Sequence, residues 1–191
     1  ETEKALREPK ACEFFRVLRA CGALRAIYPE IDALFGVPQP AQWHPEIDTG
    51  LHTLMVLDHA AQLSPATKVR FAALLHDLGK GTTPREQWPS HRGHEERSVA
   101  LIEALAQRLR LPGEYRDLAI IVARYHGNVH RAFELRPKTV LEILERKMEK
   151  ASVDGIARLR AMPHLELKIA DWPGLTGAGI IVFLTLLALA A

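Results

Sequence analysis

The amino-acid sequence predicts an all-α fold, a bundle of about seven helices. Apolar residues recur at the i, i+3, i+4, i+7 spacing of a helix face in several segments. We find no stretch with the apolar–polar alternation that predicts a half-buried strand. Hydrophobic residues make up 48% of the 191 residues and charged residues 25%, which is typical of a globular domain with a sizeable core.

The first part of the chain is predicted to form one helix followed by an irregular stretch. The helix covers residues 8–24, where Phe14 and Leu18 fall on one apolar stripe. Four prolines make residues 28–48 mostly irregular, because proline lacks the backbone donor that a helix requires. A second helix is predicted from about residue 48 to residue 63.

A third helix is predicted to start at Ser64 and Pro65. Serine is a favourable cap, and proline is tolerated in the first turn, where its missing N–H is not needed. This helix should stop at Gly79, and residues 79–92 should form a loop because they contain two prolines and further glycine. Further helices are predicted over residues 93–109, from Pro112, from Pro137 and over residues 152–161.

The two ends of the sequence carry separate expectations. The chain opens on charged residues rather than on a signal peptide, and its two cysteines lack metal-site spacing, so we expect reduced thiols in the cytoplasm. Residues 174–191 are almost wholly apolar but fall short of the roughly 20 residues of a membrane span. We expect a buried or poorly ordered terminal helix there, with a membrane contact or a sequence irregularity as alternatives.

The strongest local signal is the dipeptide His76-Asp77 at the end of the third helix. An imidazole and a carboxylate at a helix end can reach one ion beside that end, and such mixed ligands suit Mn, Fe, Ni, Zn or Mg. Gly79 then breaks the helix and lets Lys80 turn toward the same cleft, where its charge can meet a phosphate oxygen.

A second helix supports this metal hypothesis. His52 and His59 occupy an inward stripe together with Met55 and Val56. A single histidine on such a stripe is more often a hydrogen-bonded core residue. Two inward histidines together with the His76-Asp77 pair favour a metal site. Asp48 or Asp58 is expected to fix the histidine tautomers.

Other candidates are more dispersed along the chain. His94 and His126 are possible ligands for an ion, and Asp154 lies on the last predicted helix. His91 and His130 are expected to be solvated loop residues. A second group of basic residues could line an RNA face, although a solvated surface is the simpler alternative: Arg124, Arg131, Arg136, Lys138 and Arg146.

Three motifs resemble those of bacterial CCA-adding enzymes, the tRNA nucleotidyltransferases. Residues 43–55 are WHPEIDTGLHTLM, residues 76–84 are HDLGKGTTP, and residues 91–95 are HRGHE. The last two are similar to the HD signature of those enzymes, while EKAL at residues 3–6 and FFRVL at residues 14–18 resemble the end of their neck region. The resemblance covers residues 1–146.

The resemblance implies an HD-type bundle and a division of the chain. Residues 1–27 would end the neck-like region, residues 28–163 would form an HD phosphohydrolase domain, and residues 164–191 would be a tail of uncertain role. The implied activity is metal-dependent 2′,3′-cyclic phosphodiesterase, 2′-nucleotidase and phosphatase, with nickel, manganese or magnesium. The implied substrates are tRNA 3′ ends or small cyclic and 2′-phosphate nucleotides, without a membrane partner and with a possible homodimer. The nucleotidyltransferase head is not part of this sequence, so polymerisation is not expected.

The resemblance also implies roles for individual residues. His52, His76 and Asp77 would be direct metal ligands, and Asp154 loosely matches the late aspartate that completes such sites. From their chemistry we further expect Asp77 to orient or deprotonate water, and Lys80, Arg92 and His94 to stabilise the phosphate charge. His94 and His126 would bind a second ion or the phosphate, and Arg131 would contact RNA.

Two other hypotheses remain open. The domain could be an RNA-binding helical scaffold with a vestigial metal site, or a general HD nucleotidase outside tRNA metabolism. Metal content separates the scaffold from the enzyme, while the motif at residues 43–55 argues against the general nucleotidase.

Overall fold

The computed structural model describes residues 1–42 and 44–130, and it confirms the all-α prediction. Over these residues the chain forms eight α-helices and two short 3-10 segments, with one isolated β-bridge between Pro38 and Asp48. The helices are α1 (Thr2–Arg7), α2 (Ala11–Ala20), α3 (Ala23–Ile27), α4 (Pro29–Asp32), α5 (Thr49–Leu63), α6 (Thr67–Leu75), α7 (His94–Leu109) and α8 (Gly113–His130). The 3-10 segments are Leu78–Thr82 and Arg85–Gln87.

The single helix predicted over residues 8–24 is wrong, because α1, α2 and α3 are separate. Glu8 is extended, with a ψ of 149°. The following Pro9 disfavours the helical conformation of the residue before it. Gly22 separates α2 from α3 with a φ of 77°, a left-handed conformation that glycine adopts without strain. The apolar stripe indicated helix correctly but did not show these two breaks.

The predicted second helix is confirmed as α5, but His59 and Met55, which were predicted to face inward, are exposed. Asp48 caps it, since a side-chain oxygen accepts a hydrogen bond from the N–H of Leu51 at 2.9 Å. The preceding segment is mostly irregular, as predicted, apart from the single turn of α4. That turn begins with Pro29 at its first position, where proline is favourable.

The third predicted helix is confirmed as α6, although it ends earlier than expected. It stops at Leu75 instead of continuing to Gly79, so the residues between them lie in a turn. Ser64 accepts a hydrogen bond from the N–H of Ala66 at 3.2 Å just before the helix. The segment expected to be a loop contains both 3-10 segments.

The core lies where α2 and α6 pack against α5. Phe15, Leu57 and Leu74 have no exposed surface. Burial of one such side chain contributes about 1.5–3 kcal/mol relative to leaving it in water. The apolar face of α5 therefore holds that helix firmly in the interior.

A buried arginine joins three helices around this core. The Arg70 guanidinium, on α6, donates hydrogen bonds to the carbonyl oxygens of Leu6, Glu8, Ala61 and Ser64 at 2.7–2.9 Å. Its burial lowers the pKa of Arg70. The four carbonyls replace much of the hydration that this cation loses, and they connect α1 to α5 and α6.

The turn after α6 packs closely against α7. A Cβ atom at Gly79 would lie 2.0 Å from the carbonyl oxygen of His94 and 2.7 Å from the backbone nitrogen of Ser98. The Gly79 N–H donates a hydrogen bond to Ser98 Oγ at 2.8 Å. Glycine is therefore required here because the two backbones leave no room for a side chain.

The chain divides into two compact units, Glu1–Arg124 and Tyr125–Ala191. The contacts given above lie within the first unit. The predicted domain boundaries after residues 27 and 163 stay predictions. None of the described helices is long and apolar enough to cross a membrane.

Three sequence predictions lie outside the described residues. They are the helix from Pro137, the helix over residues 152–161 and the apolar terminal segment at residues 174–191.

Candidate metal centre

His52 lies in the first turns of α5 with its ring in the interior. Its Nδ1–H donates a hydrogen bond to Glu46 Oε1 at 2.5 Å. The carboxylate can only accept, so the proton belongs to Nδ1 and the lone pair to Nε2. Among the described residues, Nε2 is buried and has no hydrogen-bond partner. Such a nitrogen is ready to bind a cation.

His76 and Asp77 lie in the turn between α6 and the next 3-10 segment. The Nδ1–H of His76 donates to the carbonyl oxygen of Ala73 at 2.7 Å, which places the lone pair on Nε2. That Nε2 lies 3.1 Å from Asp77 Oδ2. Both side chains are at most 1% exposed, so their polar atoms face the interior of the first unit.

The structure brings His52, His76 and Asp77 together. One potential ligand atom from each lies within 4.8 Å of the other two, and the two imidazole centroids are 5.5 Å apart. A divalent cation between two imidazoles and a carboxylate would offset the cost of burying these polar groups. Two nitrogens and one oxygen suit Mn, Fe, Ni or Zn. The residues present therefore fit a divalent ion.

Lys80 supplies a buried positive charge beside this cluster. Its Nζ lies 2.8 Å from Asp77 Oδ2 and 2.6 Å from Gln39 Oε1. The ammonium offsets part of the carboxylate charge and fixes one of its oxygens. A phosphate reaching Lys80 would have to compete with these two acceptors.

His94, the first residue of α7, faces Asp77 from the opposite side. Its Nε2 lies 3.3 Å from Asp77 Oδ1, and its Nδ1–H donates to the carbonyl oxygen of His91 at 3.0 Å. Two helix ends therefore direct imidazoles at the same carboxylate.

Sequence reasoning did not identify His44 and Glu46 as part of the site. The His44 ring lies edge-on to that of His52, with centroids 4.6 Å apart, and its Nδ1 is 3.4 Å from Glu46 Oε1. Both residues lie in the proline-rich segment before α5, where no periodicity indicates which side chains turn inward. The only available signal was their place six to eight residues before His52 in the WHPEIDTGLHTLM motif.

His44 and Glu46 differ in charge at neutral pH. Burial, followed by the nearby His52 and Lys80, lowers the pKa of His44 to about 4. Burial alone would raise the pKa of Glu46, but hydrogen bonds from His52 and the backbone bring it down to about 2. His44 is therefore neutral, and Glu46 is an ionised acceptor.

Two expectations about supporting residues are wrong. Asp48 does not hold a histidine, because its oxygens accept hydrogen bonds from the N–H groups of Leu51 and Gly36. Asp58 lies beside Cys12 instead. The carboxylate that contacts His52 is Glu46.

The expectation that His91 is a solvated loop residue is also wrong. Its side chain is buried, and its Nε2–H donates to the carbonyl oxygen of Pro38 at 2.7 Å. Burial lowers the pKa of His91, although the bond to Pro38 opposes this shift. The loop before α7 is thus fastened to the segment before α5.

The structure leaves the roles of four other predicted site residues open. Arg92 is exposed in the loop before α7. His126 lies on α8 within the second unit. Asp154 and Arg131 lie outside the described residues. Their roles stay predictions.

Comparison with known proteins gives the same family as the sequence motifs. The profile of the HD domain matches residues 49–172. The chain is similar to the "Multifunctional CCA protein" of Thioalkalivibrio sulfidiphilus, with 57% identity over 178 residues, which cover 93% of this chain and 42% of the relative. The resemblance stated from the motifs is therefore confirmed.

Two further relatives carry the same name. The protein of Nitrosococcus oceani is 62% identical over 146 residues, and that of Nitrosomonas europaea is 59% identical over 145 residues. Each match covers 76% of this chain, but 36% and 35% of the respective relative. The chain thus spans about two fifths or less of the length of these relatives.

Proposed function

This chain belongs to the HD domain family, and from that premise we propose that it is a metal-dependent phosphohydrolase. The observation that carries the proposal is the convergence of His52, His76 and Asp77, with potential ligand atoms within 4.8 Å of one another. Asp154 would complete the ligand set. Nickel, manganese and magnesium are the ions to test.

The chemistry divides between the ion and the side chains. A divalent cation supplies Lewis-acid activation of a phosphoryl oxygen and of water at neutral pH. Asp77 would orient the attacking water, and Lys80 and His94, which both approach its carboxylate, would stabilise negative charge on the phosphate. Arg92 would reach the phosphate from the exposed loop before α7.

We propose 2′,3′-cyclic phosphates, 2′-phosphates and simple phosphate esters as substrates, with tRNA 3′ ends as the macromolecular source. The support is the name shared by the relatives and the high identity of the matched region. His126 and Arg131 would contribute to the phosphate or RNA contacts. A cytoplasmic location and a possible homodimer belong to the same proposal.

The direct test is hydrolysis of 2′,3′-cyclic AMP by the metal-free chain after addition of Ni²⁺, Mn²⁺ or Mg²⁺. Asp77→Ala and His52→Ala should lower kcat/KM at least about 100-fold, because each removes a ligand or water-orienting group. His59→Ala is the matched control, since His59 is an exposed histidine on the same helix as His52. Equal activity in Asp77→Ala would remove Asp77 from the mechanism.

The alternative function is an RNA-binding scaffold with a vestigial metal site. No described contact favours it over the enzyme, and metal content distinguishes the two. A chain that binds tRNA but retains no divalent ion after dialysis would support the scaffold.

A further inference from the structure

The environment of Glu46 points to a role that the metal ligands alone do not explain. Glu46 precedes α5 in an irregular segment, yet its side chain is only 13% exposed. Two backbone hydrogen bonds fix the segment, from Gln39 N to the carbonyl oxygen of Ile47 at 2.7 Å and from Ile47 N to that of His44 at 2.9 Å. The carboxylate is therefore held in place by the fold and not by a flexible loop.

The contact between Glu46 and His52 determines which ring nitrogen faces the cluster. A neutral imidazole carries one proton, and either nitrogen can hold it. A carboxylate 2.5 Å from Nδ1 favours the proton there, which leaves Nε2 unprotonated. Without this acceptor, the proton could move to Nε2 and block its lone pair.

We propose that Glu46 is a positioning residue that holds His52 in the Nδ1–H tautomer and aims its Nε2 at the ion. This inference rests on the proposed metal-dependent function and extends it to a residue outside the ligand set. A carboxylate behind a metal-bound histidine also raises the basicity of the ring, which strengthens the metal bond.

The distances argue against a second ion among His44, Glu46 and His52, although these residues also bring ligand atoms together. Ligands about 2.0–2.2 Å from a tetrahedral zinc ion are roughly 3.4 Å apart. Glu46 Oε1 and His52 Nδ1 are 2.5 Å apart, a separation that fits a hydrogen bond. His52 Nδ1 is therefore engaged in the hydrogen bond to Glu46 and does not serve as a metal ligand.

The test combines the tautomer of the metal-free chain with its metal affinity. Ring ¹⁵N chemical shifts of His52 should show protonated Nδ1 and unprotonated Nε2 in the unaltered chain. Glu46→Ala should give a mixture of tautomers and weaken Mn²⁺ or Ni²⁺ binding about 10- to 100-fold by calorimetry. Glu46→Gln keeps an acceptor oxygen of the same reach, so it should restore the tautomer and part of the affinity.

Glu30→Gln is the matched control. Glu30 is a similarly shielded carboxylate that pairs with Arg108. Its replacement should change neither the His52 tautomer nor the metal affinity. The thermal midpoint of each variant verifies that it is folded.

Three other outcomes would contradict the inference, and the measurements distinguish them from one another. Unchanged tautomer and affinity in Glu46→Ala would refute the positioning role while leaving the metal site intact. Two bound ions, one of them lost in His44→Ala, would make Glu46 a ligand instead. A chain that binds no ion would refute the proposed function and this inference with it.

Discussion

Two buried polar clusters of the first unit differ in the kinds of groups that they bring together. Around Arg70, a cation faces four carbonyl oxygens, so donors and acceptors are matched. Around Asp77, the Nε2 atoms of His76 and His94 lie 3.1 and 3.3 Å from the two oxygens of the carboxylate. The first arrangement pairs one cation with carbonyl oxygens, whereas the second brings together groups that could hold a divalent ion.

The difference distinguishes a buried charge that stabilises the fold from a buried cluster whose groups suit a binding site. Burying a charge is unfavourable unless the fold supplies its partners, and Arg70 finds them at the C-terminal ends of α1 and α5. The Asp77 cluster combines the Lys80 ammonium with a carboxylate and two imidazoles, a set of groups that suits a divalent ion. We infer that the first cluster stabilises the fold and that the second gains its stability from an ion.

The largest expected effect on stability comes from Arg70→Met. It leaves four carbonyl oxygens without their donor and should lower the free energy of unfolding by about 3–5 kcal/mol. Urea unfolding of the metal-free chain measures it. Arg108→Met is the control, because Arg108 is half-exposed and its loss should cost at most about 1 kcal/mol. Similar losses in the two variants would contradict the structural role of Arg70.

An intermediate effect is expected when the ion is added. At 100 times its Kd, a divalent ion should raise the free energy of unfolding by about 2.7 kcal/mol. His52→Gln should remove most of that gain, while lowering the stability of the metal-free chain by about 1.5–3 kcal/mol, the value of one hydrogen bond to a charged group. Unfolding with the ion and with a chelator gives both quantities. A full ion-dependent gain in His52→Gln would place the ion elsewhere.

The smallest effect concerns the reactivity of the two cysteines. Cys12 is buried in α2, and burial together with Asp58 raises its pKa to about 12, whereas Cys21 is exposed. A thiol reagent at neutral pH should therefore label Cys21 quickly and Cys12 only on unfolding. Cys21→Ser isolates the slow site. Arg70→Met should speed Cys12 labelling more than His52→Gln does, because it lowers the free energy of unfolding further.

The sequence predicted the all-α class and α5 to α8 because each has a clear apolar stripe or a capping signal. His52 and His76 stood out since they occupy stripes that must be buried. The breaks around α2 depend on Pro9 and Gly22, whose local effects a continuous stripe conceals.

Other parts of the structure could not be predicted, for definite physical reasons. Arg70 carries a charge, and charged residues are ordinarily exposed unless several partners converge from distant segments. Glu46 and His91 belong to irregular stretches without periodicity, so only the tertiary fold turns them inward. The motifs indicated which segments contribute to the site, but not which of their side chains form hydrogen bonds with the histidines.

The central claim is that His52, His76 and Asp77 hold one divalent ion. Anomalous diffraction from crystals grown with Mn²⁺ or Ni²⁺, collected at the metal edge, tests it most directly. The account predicts a peak about 2.0–2.2 Å from Nε2 of both histidines and from a carboxylate oxygen of Asp77. A peak bound only by His44 and Glu46, or no peak in the first unit at all, would contradict it.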